Sequence, residues 1–203
     1  LGALGMEASY ELSFVRLNDQ ADYWQKAASN PQATARTDQF RVRKGLPYGV
    51  QFGGVLTHLR DSNLWALGIE MNLSLIDGFI NAPDISLRTT INTALGNPDL
   101  SMLIVGADLA VSKSFGIAGL FSLQPWAGYS FAFTHVQTHQ IHVYVKDTDI
   151  KPDLMLLEGV QHFTHRVAFG MRLVVTRVSL GFEFLRSFSD DLNVISSKIG
   201  VDF

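Results

Sequence analysis

Along most of this chain hydrophobic and polar residues alternate one by one. In the stretch MEASYELSFV, Met6, Ala8, Tyr10, Leu12 and Phe14 share one parity, while Glu7, Ser9, Glu11 and Ser13 share the other. In YGVQFGGVLT, Tyr48, Val50, Phe52 and Leu56 oppose Gly49, Gln51, Gly53 and Thr57. In LWALGIEMNLSL, Trp65, Leu67, Ile69, Met71 and Leu73 oppose Ala66, Gly68, Glu70, Asn72 and Ser74. The same two-residue period runs through 101–112, 121–134, 163–173, 178–184 and 194–203. A period of two is that of a strand with unlike faces, not of a helix. The pattern therefore predicts eight strands.

The connections between these segments alternate in length. Arg60–Asn63, Lys113–Phe115 and Val175–Arg177 are tight, whereas Asn18–Leu46, Asp77–Leu100 and His135–Gln161 are long; Ser187–Leu192, the last, is short. Two short helices are expected inside the long connections. Asp19 is placed to cap one that stops before Asn30–Pro31. Ser86 is placed to cap another running to Leu95, with Gly96 just past its end and Pro98 beyond. Leu87, Ile91, Ala94 and Leu95 would form its apolar stripe.

Composition decides what the large side chains face. The chain has 203 residues, of which 47% are hydrophobic and only 17% charged, against about 25% charged in an ordinary soluble domain. The polar parity is mostly Gly, Ser, Ala and Thr, not the Lys/Glu exterior of a soluble sheet, and large aromatics gather near strand ends, where membrane interfaces place them. No uncharged run makes a good membrane helix. The nearest, Ile117–Phe133, contains Gln124, Pro125, Gly119, Gly128, Ser122 and Ser130. A sheet that crosses hydrocarbon must close on itself, or its edge would leave backbone groups unpaired. The sequence thus predicts an all-β, closed, up-and-down antiparallel transmembrane barrel of eight strands, one domain over 6–203 preceded by a short segment, 1–5. The net charge of −3 gives no sign of a nucleic-acid partner, and the absence of cysteine removes disulfides and thiol chemistry.

The last ten residues, VISSKIGVDF, set Phe203, Val201, Ile199 and Ile195 on one face and Asp202 and Lys198 on the other; Ser197 departs from the apolar face. With the strand pattern, this ending resembles the assembly signal of small bacterial outer-membrane barrels, of the kind of the OmpA membrane domain, OmpX and OmpW. The resemblance is one of architecture and extends over Met6–Phe203. It implies a bacterial outer-membrane location with both termini in the periplasm and the long loops extracellular. It also implies outer-membrane lipid, lipopolysaccharide and the barrel-assembly machinery as partners, with a further envelope protein as another.

The polar parity would line the lumen. Glu7, Glu11, Glu70, Asp108, Arg166, Arg172, Glu183, Lys198 and Asp202 fall there. Arg166, Glu183, Lys198 and Glu11 should meet near mid-height, because ions in a narrow interior must be paired or hydrated. Glu70 and Arg172 are expected to join that charge network. His135, His139, His142, His162 and His165 straddle the third long loop, and their spacing raises a surface metal site; the more ordinary reading is a polar rim, and no cofactor is called for. No Ser–His pairing marks a catalytic site, so no enzyme activity is expected. The expected role is structural, adhesive or scaffolding, exerted through the loops or within an envelope assembly. The alternative is a narrow OmpW-like channel for small or apolar molecules, with an apolar mouth near Trp126 open to the lipid.

Overall fold

The computed structural model describes residues 5–17, 34–79, 81–96, 100–117, 119–138, 159–189 and 192–203. Eleven strands form one sheet: β1 (Met6–Arg16), β2 (Thr34–Gly45), β3 (Val50–Leu59), β4 (Trp65–Ile76), β5 (Asp84–Leu95), β6 (Leu100–Ser112), β7 (Phe115–Ile117), β8 (Phe121–Thr138), β9 (Val160–Val175), β10 (Val178–Ser187) and β11 (Asn193–Asp202). Each pairs antiparallel with its neighbour, and β11 returns to β1 with Glu7 opposite Asp202 and Tyr10 opposite Ile199. Met6 and Phe203 complete the seam by exchanging backbone hydrogen bonds of 3.0 and 2.8 Å. β7 is a continuation of β6. Both pair with β8 in a single register, Ser112 opposite Trp126 and Phe115 opposite Leu123, with a break at Lys113–Ser114. The barrel therefore closes with ten strands.

Two of those strands correct the eight-strand expectation. β2 lies within the first long connection, Asn18–Leu46, and β5 occupies the span expected to be a helix from Ser86 to Leu95. β5 is a strand for a physical reason. Its sequence, DISLRTTINTAL, carries β-branched residues at Ile85, Thr89, Thr90, Ile91 and Thr93, which are stiff in helices and fit a pleated sheet. Ile85, Leu87, Ile91 and Leu95 satisfy a two-residue period as well as a helical one. The other expected helix, after Asp19, lies outside the described residues. Among those described, the only helical piece is a 3-10 turn at Pro47–Gly49.

The added strands also move the turns. The turn after β3, at 60–64, sits at the same end as the connections after β1 and β8, not opposite them as the eight-strand pattern had it. The other end holds both termini and the tight β9–β10 turn, where Thr176 takes a left-handed backbone with φ 56°.

Inside and outside are inverted relative to a soluble protein. Tyr10, Phe52, Ile69 and Phe182 are 41%, 50%, 51% and 62% exposed. The fully buried side chains are mainly polar: Glu7, Ser9, Glu70, Ser130 and Ser179 among them. Such a continuous apolar exterior is stable only against hydrocarbon. On β1 the outward residues run from Met6 to Phe14. At about 3.4 Å per residue and a tilt near 40° they cover roughly 21 Å of height, close to the apolar band of a transmembrane barrel.

Candidate functional site

The lumen is an enclosed polar region of the described structure. Its first wall is built by β11, β1, β2, β3 and β4. Arg43 on β2 and Glu70 on β4 are separated by the whole of β3, yet Arg43 Nε donates to Glu70 Oε1 at 2.5 Å. Gly53 makes this possible. It stands between them in register, and a Cβ placed there would lie 3.0 Å from Arg43 Cγ and 3.2 Å from Glu70 Cγ. Arg41 Nε lies 3.4 Å from Glu70 Oε2 and its NH1 lies 3.8 Å from Glu11. The Arg41 guanidinium also donates to Gln39 at 2.6 Å, and Gln39 donates to Thr57 at 3.0 Å.

Glu7 is the hub of this wall. Lys198 Nζ donates to it at 2.7 Å, while Arg172 and Arg43 approach at 3.7 and 3.8 Å. Arg172 also pairs with Asp202 at 3.3 Å. Glu7 is only 1% exposed; a carboxylate so enclosed is tolerated because several cations surround it. Ser13 and Ser196 share a hydrogen bond of 2.8 Å across the same seam.

The facing wall, from β5 to β10, is different. Arg88 Nε donates to Asp108 at 2.8 Å on the neighbouring strand. Asp108, Ser130 and Arg166 then follow in register across β6, β8 and β9. Around this pair the inward side chains are small: Gly106, Gly128, Ser130, Ala168 and Gly181. Trp126 points inward and lies flat beside Gly170, where an added Cβ would meet its Nε1 at 2.8 Å. Between the two walls a cavity of about 460 Å³ remains, bordered by Glu11, Arg41, Arg88, Asp108, Arg166 and Glu183 among others.

The charged residues assigned to the lumen from sequence can each be placed. Glu11, Glu70, Arg166, Arg172, Glu183 and Lys198 all line the lumen. Arg166, Glu183, Lys198 and Glu11 do not close on one another. Lys198 stands opposite Glu11 in register but extends to Glu7, and Glu11 is met by Arg41. Glu183 takes no cation within ion-pair distance among the described residues. Arg41, Arg43 and Arg88, which supply half of the lumen's cations, were not anticipated because they ride on β2 and β5. Strict alternation in TARTDQFRVRKG places Arg41 and Arg43 on one parity and was the available signal.

The histidines do not converge. His139 and His142 lie outside the described residues. His162 is level with Thr134 and shares the lumen parity, whereas His165 lies on the opposite face, with Tyr129 Oη 2.8 Å from its Nδ1. Among the described residues no three metal-binding side chains gather. Val201, Ile199 and Phe203 face outward, 38%, 49% and 66% exposed. At the place expected for an apolar side entrance, Trp126 is paired with Ser112 on one side and Gly170 on the other, next to the break at Lys113–Ser114.

No protein-family model matches this chain, and no curated protein matches it. Solved structures do. The β domain of the Bordetella autotransporter BrkA aligns over 99% of both chains with a TM-score of 0.57 and 11% identity. The KdgM porin in complex with disordered oligogalacturonate aligns over 97% of this chain and 99% of its own, at a TM-score of 0.44 and 5% identity. The outer membrane protein Omp33 of Acinetobacter baumannii aligns over 98% of each, at 0.38 and 9%. Together with the closed sheet and its apolar exterior, the likeness to the BrkA domain shows that this chain has the fold of the bacterial outer-membrane β-barrels.

Proposed function

We propose that the protein is a narrow, non-catalytic pore of a bacterial outer membrane, passing ions and small polar solutes. The cavity of about 460 Å³ between the ion-paired wall and the small-residue wall carries this reading. An eight-stranded barrel has an interior that side chains nearly fill. Ten strands enclose more, and glycine, alanine and serine line much of the wall from β5 to β10, so polar-lined space is left that only water or a solute can occupy. The lining favours polar cargo over apolar cargo. In this reading the termini are periplasmic and the connections 17–33 and 139–159 extracellular.

The measurement is single-channel conductance in a planar bilayer, using protein shown to be folded by its heat-shifted migration on a gel. Stepwise ion conductance is the expected result. A folded barrel that never conducts overturns the pore. A display or scaffold role would then take its place, favoured by the emergence of both long connections at one end. It would be read by pull-down of envelope proteins in mild detergent.

A further inference from the structure

At the end that carries the long connections, the outer surface is divided. On β10, β11, β1 and β2 one register row runs Arg186, Asn193, Arg16, Thr34. Directly beneath it, toward the membrane centre, the next outward row begins Phe184, Ile195, Phe14 and continues to Arg36. Arg60, just past β3, bonds through its backbone N–H to Arg36 O at 2.9 Å and so stands beside it. The arginines thus form an arc over five adjacent strands, about 19 Å at the usual spacing. The rest of the rim, on β4 to β9, presents Trp65, Leu95, Leu103 and Phe163 at comparable positions.

The arc sits where an apolar band gives way to head groups. Arg36 lies over the Phe14 ring at 5.8 Å, an anchor that holds its guanidinium at that boundary. Two acids are near. Asp38 is occupied, gripped by Arg60 through two hydrogen bonds of 2.5 and 2.9 Å and by the Tyr10 hydroxyl. Asp61 is exposed in the turn beside Arg60. Arg16 and Arg36 have no carboxylate partner among the described residues. Guanidinium is the side chain best shaped to grip phosphate with two parallel hydrogen bonds. We propose that this arc binds the phosphates of membrane lipid head groups, and that a glycolipid carrying two phosphates, which can bridge arginines on neighbouring strands, is its preferred occupant.

The test is native mass spectrometry of the folded full chain with added lipid A in three forms: bisphosphorylated, monophosphorylated and phosphate-free. The bisphosphorylated form should bind best and the phosphate-free form worst. Charges near a membrane surface contribute about fivefold each to such binding. Arg16→Gln with Arg36→Gln should therefore weaken it roughly 25-fold, and adding Arg60→Gln roughly a hundredfold. Lys44→Gln, outward at the opposite end, should stay within about twofold. Equal binding by the triple variant, or equal binding of the phosphate-free lipid, overturns the proposal. So does displacement of the lipid by millimolar inorganic phosphate, which would make the site one for the free ion. If the triple variant does not fold, the single changes at Arg16 and Arg36 carry the same test, each expected at about fivefold.

Discussion

The two walls of the lumen solve the same problem in opposite ways. The wall around the seam is crowded with close ion pairs, and its carboxylates are met by one to three cations each. Glu7 draws on β2, β9 and β11, and Glu70 draws on Arg41 and Arg43. The wall from β5 to β10 carries the Arg88–Asp108 pair, with Arg166 and Glu183, among glycines, alanine and serine, and lends Arg172 to the seam. One wall fixes the barrel; the other leaves room inside it. Dense cross-strand pairing and open space have been separated because a ten-stranded interior cannot be braced across its full width by side chains of ordinary length.

Four changes would break or sharpen that contrast. Glu7→Ala strands Lys198, Arg172 and Arg43 around an empty place. Losing one partner from a buried ion cluster costs about 3–5 kcal/mol, and equilibrium urea unfolding of the barrel in lipid vesicles should show it. Gly53→Ala pushes a methyl to 2.6 Å from Val42 O and against both Arg43 and Glu70. The expected loss is about 1–3 kcal/mol in the same assay. On the other wall Gly181→Leu should leave stability nearly unchanged, because the nearest neighbour of an added Cβ, Lys198 Cβ, lies at an ordinary 3.4 Å. It should instead reduce conductance by about half, since a leucine side chain would enter the space that holds water. The smallest effect is expected for Arg88→Gln. It removes one cation from the roomy wall and should shift the reversal potential in a salt gradient toward cation preference by a few millivolts, on the order set by a single partly screened charge. A large loss of stability from Gly181→Leu, or none from Glu7→Ala, would show that the walls do not divide the work in this way.

Much of this architecture was legible in the chain. The parity of eight strands, including the inward placement of Glu7, Glu70 and Lys198, follows from alternation alone, because one slip would turn every side chain to the wrong solvent. β2 was obscured by its outward face, where only Phe40 and Val42 are apolar and Arg36, Asp38 and Lys44 stand near the two ends. Those charges reach the interfaces, so a strand can carry them without exposing them to hydrocarbon. β5 is obscured by degeneracy: its leucines and isoleucines fit two periods, and its threonines are the better guide. Losing both strands removed Arg41, Arg43 and Arg88, and with them the partners of Glu70, Glu11 and Asp108. The anions were therefore seen and most of what neutralises them was not. Ion pairing between strands depends on which strands are neighbours, and a missing strand changes every later neighbour.

The bond from Lys198 to Glu7 joins groups 191 residues apart. It can form only when the first and last strands meet. Until then a partly assembled sheet presents a carboxylate that Arg43 alone approaches and an ammonium without it along its free borders, beside backbone groups that are also unpaired. A bilayer rejects both. The seam thus acts as a checkpoint during insertion: an incomplete ring is held back by its own charges, and completion removes the penalty in one step.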